Sequence, residues 1–382
     1  MKSVMPKIFI SAGEASGDLH AGALTKEILK LCPPAEIYGM GGNCLREAGG
    51  EVIFDIKDHG VMGLVGVVKK LPALFALKKE IEKVLDERRP DCVLTIDYSE
   101  FNTYVVAKAA HKRNIPIVSF IPPSAWAWRK GRARYLAERS TVVATIFPFE
   151  HHVYLEAGAN SEYVGHPLVD IVKPTLELEE AMQKAGKKEG DILILLLPGS
   201  RKQEIEKMLP VMLDACLLLK QKLPNARFCM PKAATISIEQ LNEHLHRYPL
   251  DVKIVQGNNY DIMQVADLAL ATSGTVTLEA ALCGLPSIII YKASALNALI
   301  FRNIVKIPNI GLPNIVMGRR ILPELLQEQA TAMNIATEAE RILQPDNTSE
   351  IKRDLVEMKQ RLGAGGAVNK VASIVLDTCG GV

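Results

Sequence analysis

Ile192-Leu193-Ile194-Leu195-Leu196-Leu197 runs without a break into Pro198-Gly199-Ser200-Arg201. A run of six apolar residues is short for a helix and lacks the alternation of a half-exposed strand, so it reads as a parallel strand buried on both faces. The loop behind it has the parts of a phosphate site. Gly199 permits close backbone approach, the amides ahead of a coming helix are available as donors, and Arg201 supplies a guanidinium. A second run, Leu268 to Ala271, ends in Thr272-Ser273-Gly274-Thr275, with Glu279 one turn into the next helix. Taken singly, each loop is equally well explained as a helix cap with its turn glycine. Two of them in one domain, with Glu279 placed to accept from a ribose hydroxyl, point to a nucleotide. Neither is a P-loop, which needs G-x-x-x-x-G-K-[ST], nor a dinucleotide fingerprint, because no G-x-G-x-x-G follows a strand.

Outward from these runs, short apolar β-branched stretches alternate with helix-length segments, the signature of an α/β architecture. Further strands are expected in this half at Arg227–Met230, Val252–Val255 and Ser287–Tyr291, and an N-terminal series at Lys7–Ala12, Glu36–Met40, Cys92–Asp97, Pro116–Ile121 and Val142–Phe147. A polar stretch, Asp170–Asp191, separates the two series. Two doubly wound parallel sheets in tandem predict a cleft between them, with ligands beyond the carboxyl ends of the strands. Chemistry-bearing residues fall at those ends: Gly13-Glu14-Ala15-Ser16-Gly17-Asp18 follows the first strand, and Asp97 closes the third.

The whole chain has 382 residues, 48% of them hydrophobic and 23% charged, which suits a globular protein of about two domains. Its net charge of +2 is evenly spread, with 21 basic and 20 acidic residues up to position 170, so a general nucleic-acid binder is not expected. No apolar run approaches the ~20 residues of a membrane span, and Met1–Ile10 lacks a signal-peptide core. The seven cysteines include no C-x-x-C pair, and an odd number sits badly with a disulfide framework, so a reduced cytoplasmic setting is expected. No grouping of Cys, His or carboxylates has metal-ligand spacing, and the reading calls for no metal and no cofactor.

Several elements, in order along the chain, together resemble the lipid-A-disaccharide synthase family: Gly13-Glu14-x-Ser16-Gly17-Asp18, Val61-Met62-Gly63, Pro123-Ser124-x-Trp126-Ala127-Trp128-Arg129, Phe147-Pro148-Phe149-Glu150, Gly165-His166-Pro167, Leu197-Pro198-Gly199-Ser200-Arg201, Ser273-Gly274-Thr275 and Leu312-Pro313-Asn314. The resemblance runs from about residue 8 to the C-terminal helices. It implies two facing Rossmann-like domains of the GT-B type, with the C-terminal helices packing back on the first. The domains would be 1–168 plus about 350–382 for the acceptor and 169–349 for the UDP-sugar. The reaction implied is inverting and metal-independent: UDP-2,3-diacylglucosamine and 2,3-diacylglucosamine 1-phosphate give a β-1,6 disaccharide and UDP.

Inversion in one displacement needs a base for the attacking hydroxyl and donors for the leaving diphosphate. Asp97, a strand-end carboxylate at the family's base position, takes the first role, with Glu14 second. The family commonly reads Asp-x-Pro-Asp-Phe-Asn where this chain has Asp97-Tyr98-Ser99-Glu100-Phe101-Asn102. Helix capping is the competing account of Asp97. Arg201 is expected to neutralise the diphosphate, with Gly199, Ser200, Ser273, Gly274 and Thr275 as donors, and Glu279 and Asn314 to complete the nucleotide pocket. Ser16, Met62, Trp128 and Arg129 are assigned to the acceptor, Asp18 to support of a helix N-terminus, and His166 to an interdomain structural role.

Lipid substrates need access to a bilayer. Val61–Leu85 is apolar with lysine pairs at 69–70 and 78–79, and residues 101–139 carry eight basic residues against Glu138 alone. Peripheral contact with an anionic membrane on the cytosolic face of the inner membrane is therefore expected, through Val65, Val68, Leu71 and Leu74, and a homodimer is allowed for. The competing account makes Leu71–Leu85 an amphipathic helix packed on the first sheet. Two other functions stay open: a different UDP-sugar enzyme on this scaffold, such as a 2-epimerase, and a silent nucleotide-binding protein of the membrane surface.

Overall fold

The computed structural model of the chain describes residues 5–59, 64–123, 131–233, 235–292 and 309–380, with the backbone alone at 58–59 and 64–72. It divides into two compact units, Met1–Asp170 with Ala364–Val382, and Ile171–Gly363. In the first, strands β1 (Lys7–Ala12), β2 (Glu36–Gly41), β3 (Glu51–Asp55), β4 (Cys92–Ile96), β5 (Ile117–Phe120), β6 (Val142–Thr145) and β7 (Ser161–Tyr163) form one sheet. Their order is β3-β2-β1-β4-β5-β6-β7, all parallel. In the second, β8 (Ile192–Leu197), β9 (Ala226–Lys232), β10 (Val252–Gln256), β11 (Leu268–Thr272), β12 (Ser287–Tyr291) and β13 (Glu324–Leu326) pair in the order β10-β9-β8-β11-β12-β13, again all parallel.

Both sheets reverse their direction of growth once, between β1 and β4 and between β8 and β11. These are the topological switch points at which open α/β sheets bind ligands. The central strands are the apolar runs of the sequence, and β8 is buried from Leu193 to Leu197. Ten strands stand where the sequence predicts them. The other three, β3, β7 and β13, are each an edge of a sheet, where one side of the strand needs no apolar residue; Glu51, Glu162 and Glu324 sit among them.

One expectation changes. The helix Pro345–Arg361 belongs to the second unit, because Ile351, Leu355 and Met358 are buried there against the helices Thr275–Leu282, Leu312–Met317 and Ala332–Ile342. Of the C-terminal helices only Ala367–Gly380 returns to the first unit, packing on the helix Ala15–Leu31. Its start is fixed by Asp170, whose carboxylate accepts the Gly366 N–H at 2.6 Å and the Val368 N–H at 3.0 Å. Gly363, Gly365 and Gly366 take φ of +93°, +91° and +85°, which suits glycine alone among common residues at such a sharp return.

The helix Leu64–Arg88 settles half of the membrane question. Leu77, Ile81 and Leu85 are buried in the core with Leu74 packed against them, so the C-terminal half is an amphipathic helix on the first sheet. Leu74 is thereby removed from the expected interfacial set, and the side chains of Val65, Val68 and Leu71 lie outside the described residues. Phe75, off the buried stripe, is 61% exposed. Among the described residues no helix is long and apolar enough to cross a membrane.

Candidate functional site

The register of β1 with β4 pairs Ala12 with Ile96, so the loops that leave these strands start side by side. The first loop enters the helix Ala15–Leu31 through Glu14, and the second turns abruptly. Asp97 and Tyr98 take φ of +48° and +50°, two successive non-glycine residues in the left-handed region. That geometry carries strain, and such strain concentrates where a side chain must be aimed. Here it brings the Asp97 carboxylate to the Ser16 hydroxyl, which donates to Oδ2 at 3.4 Å. The helix behind Asp97 begins at Ser99 with Tyr98 as its cap residue and no side-chain capping bond, so helix capping does not explain Asp97.

Two devices hold the turn. The Tyr98 ring covers Gly13, where a Cβ would collide with it, and it packs on Phe101 at 5.3 Å. Asn102, 4% exposed, donates through Nδ2 to the carbonyls of Asp97 (2.7 Å), Ser11 (3.0 Å) and Ile96 (3.2 Å), and its Oδ1 accepts the Ser11 hydroxyl at 2.6 Å. It thus ties the ends of β1 and β4 together from inside a π-helical turn, Asn102–Val106, a feature frequent near functional sites. Where the family pattern has proline this chain has Ser99, and the turn is held by the Tyr98 ring and by Asn102, a residue the pattern shares. Glu100, next in the same loop, forms an ion pair with the buried Arg132.

Asp18 does support a helix start, but that of Asn43–Glu47 rather than its own. Its carboxylate accepts the N–H groups of Gly42 (2.6 Å), Cys44 (2.9 Å) and Leu45 (3.1 Å). His166 is buried within the first unit, where its Nδ1 accepts the Leu168 N–H at 3.2 Å and its ring lies 5.2 Å from Phe147. Burial, and then the nearby His20, lowers the His166 pKa to about 3; burial holds His20 near 4. Both rings are neutral near pH 7. Met62, Trp128 and Arg129, assigned to the acceptor, lie outside the described residues.

In the second unit Leu197 of β8 pairs with Ala271 of β11, and again two loops emerge together. Gly199 takes φ +111°, and a Cβ there would collide with the Glu204 carboxylate, so the position admits only glycine. Arg201 precedes the helix Lys202–Lys222, and the Ser200 carbonyl accepts the Thr235 hydroxyl at 2.5 Å. Glu204 turns back on the loop: Oε2 accepts the Ser200 N–H at 3.1 Å and Oε1 meets Arg201 Nη1 at 3.2 Å. Burial and the Glu204 charge raise the pKa of the Tyr291 phenol at the end of β12. Nothing but the i, i+3 spacing of Arg201 and Glu204 marks this contact in the sequence.

Across from it, Gly274 opens the helix Thr275–Leu282, with clear space where a Cβ would stand. The Ser273 hydroxyl donates to the Ile310 carbonyl at 3.4 Å. Glu279 is enclosed on most sides by protein, and this burial raises its pKa to about 7. Asn314 departs from its assigned role. It is 0% exposed and spends its amide internally: Nδ2 donates to Leu322 O and Glu324 Oε1, both at 2.8 Å, and Oδ1 accepts the Ile321 and Leu322 N–H groups at 2.8 and 2.9 Å. Glu324 in turn accepts the N–H groups of Ile310 and Gly311. Asn314 therefore shapes the segment that Ser273 leans on, and both of its amide hydrogens are used inside the protein.

Comparison with known proteins identifies the family and the fold. A family described as lipid-A-disaccharide synthetase matches residues 8–376. The lipid-A-disaccharide synthase of Geobacter metallireducens is 38% identical over 375 residues, covering 98% of this chain and 97% of that protein. That of Syntrophus aciditrophicus is 39% identical over 371 residues, 97% of each. Among solved structures, a UDP-GlcNAc 2-epimerase from Neisseria meningitidis bound to UDP-GlcNAc superposes with a TM-score of 0.66 at 14% identity, covering 97% of this chain and 99% of that one. At that identity the likeness speaks for the fold: two Rossmann-like parallel-sheet units of the GT-B class.

Proposed function

The chain belongs to the lipid-A-disaccharide synthase family, and we propose that it runs that family's glycosyl transfer with Asp97 as base and the loop Pro198–Arg201 as the seat of the leaving diphosphate. The enzyme is a glycosyltransferase of lipid A biosynthesis, forming the lipid A disaccharide from a nucleotide sugar and a lipid acceptor. In our reading the donor is UDP-2,3-diacylglucosamine and the acceptor 2,3-diacylglucosamine 1-phosphate. The acceptor's 6-hydroxyl attacks the donor's anomeric carbon and gives its proton to Asp97. The bond from that carbon to the diphosphate oxygen breaks, the configuration inverts, and UDP leaves.

The observation that carries this reading is the strand register, which brings Asp97 beside Ser16 at one switch point and the Ser200–Arg201 loop beside Ser273–Thr275 at the other. The backbone N–H groups at the helix starts and the Arg201 guanidinium suit the charge that develops on a departing diphosphate. Glu279 suits a ribose hydroxyl, and Glu14 remains the alternative base. Of the acceptor set, Ser16 acts through Asp97, while Met62, Trp128 and Arg129 are assigned by resemblance.

The proposal seats the enzyme peripherally on the cytosolic face of the inner membrane. The N-terminal half of Leu64–Arg88 and the exposed Phe75 would face the bilayer, with basic residues of 101–139 toward anionic headgroups. A homodimer is the assembly to test by light scattering. Mass spectrometry of a reaction containing both diacyl precursors tests the function itself: a tetraacyl disaccharide phosphate should appear with stoichiometric UDP. Epimerised UDP-sugar without disaccharide would overturn it.

A further inference from the structure

The carboxylate of Glu204 occupies two of the donors that the preceding reading gives to the diphosphate, Ser200 and Arg201. It accepts the Ser200 N–H at 3.1 Å and pairs with Arg201 at 3.2 Å, and it packs so closely that no side chain fits at Gly199. Arg201 and Glu204 are 37% and 22% exposed, so the pair lies at the surface of the loop, within reach of a ligand. An anion held by one backbone amide and one guanidinium ahead of a helix N-terminus is the arrangement that a phosphate seeks. Helix capping alone accounts for the Ser200 contact but not for the grip on Arg201, which lies before the helix and needs no cap.

We propose that Glu204 is an internal stand-in for the nucleotide diphosphate: it holds the Pro198–Arg201 loop in its ligand-binding shape when the site is empty, competes with UDP for Ser200 and Arg201, and retakes them as UDP departs. The inference rests on the placement of the diphosphate at this loop. Binding then requires the carboxylate to swing off its partners. The apparent affinity for UDP is lowered by the fraction of molecules in which it still sits there, and a site plugged nine-tenths of the time binds about tenfold more weakly than an open one. A ligand without phosphates feels none of this.

Calorimetric titration of the full-length protein with UDP and with uridine tests the idea in the wild type, in Glu204→Gln and in Glu204→Ala. Both variants should bind UDP tighter, by about threefold to tenfold, and uridine as before, with faster UDP association in stopped flow. Glutamine keeps the bond to Ser200 but drops the charge, so it should fall between wild type and alanine. Unchanged or weaker UDP binding in both variants, with the preference for UDP over uridine retained, would overturn the inference alone and make Glu204 a brace for Arg201. A wild type with no preference for UDP over uridine would overturn the placement of the diphosphate, and the inference with it. Thermal unfolding of each variant identifies any loss that comes from misfolding.

Discussion

Replacing Asn102 by alanine should damage stability and turnover together while sparing the nucleotide. The side chain shares its two amide protons among three carbonyls and accepts one hydroxyl, from Ser11. Counting two donated bonds and one accepted, each contributing about 1 kcal/mol net in a buried setting, the loss is about 3 kcal/mol. For a unit of this size that is roughly 6 to 12 °C in the first thermal transition, at about 2 to 4 °C per kcal/mol. The consequence for chemistry is larger. Asp97 and Tyr98 sit at φ +48° and +50° because their surroundings hold them there. Without the amide the turn relaxes toward negative φ and the carboxylate swings away from Ser16. A misplacement of about 1 Å costs on the order of 10²-fold in rate. Differential scanning fluorimetry, a UDP-release assay and UDP titration read the three quantities. Asn102→Asp, which keeps the acceptor but loses the donors, should resemble alanine. Wild-type turnover in Asn102→Ala, or a turnover loss matched by a loss of UDP affinity, would refute the link between this amide and Asp97.

Asp97→Asn should lower turnover by roughly 10²- to 10⁴-fold with UDP affinity nearly unchanged; near-normal turnover would pass the role of base to Glu14. Arg201→Ala should weaken UDP binding by about tenfold, the low end for a charge-assisted bond because the guanidinium is partly exposed, and should slow turnover as well; unchanged affinity by calorimetry would move the diphosphate elsewhere. Glu279, its pKa raised to about 7 by burial, ionises on its way from pH 6 to pH 8. If ribose hydroxyls donate to the carboxylate, UDP affinity rises over that interval, and Glu279→Gln flattens the profile; a wild-type profile without that rise would remove the ribose from Glu279. The same group makes the second unit more stable on the acid side: its folded pKa lies above the ordinary glutamate value of 4.5, so the stability is full below that value and is lost as pH rises through 7.

What the sequence disclosed follows from how each feature is built. Central strands are buried on both faces and declare themselves as apolar runs, so the strand-end positions of Asp97, Ser200 and Ser273 were legible. Edge strands need no such run, and β13 carries only Glu324-Leu325-Leu326. Its absence from the reading hid the partners of Asn314, which then looked like a pocket residue instead of the fastening of β13 to the loop before it. Asn102 was readable as part of a motif, yet its part in the fold depends on the carbonyl and hydroxyl of Ser11 in β1, some 90 positions earlier, that only the folded register brings within reach. The helix Pro345–Arg361 has an ordinary amphipathic pattern, and a pattern says that a face is buried without saying which unit covers it.

The return of Ala367–Gly380 to the N-terminal unit sets a schedule for synthesis. The helix Ala15–Leu31 leaves the ribosome early, but the helix that packs on it, through Val371, Ala372 and Val375, comes last. At about 5 to 20 residues per second, the roughly 200 residues between Asp170 and the end of that helix take on the order of 10 to 40 s to emerge. Throughout that time the first unit carries an uncovered apolar seam, whereas the second, Ile171–Gly363, is complete before the last helix is made. A nascent chain should therefore present its first-made domain to chaperones for longest, and a released chain ending at Gly363 should resist protease in its second half before its first.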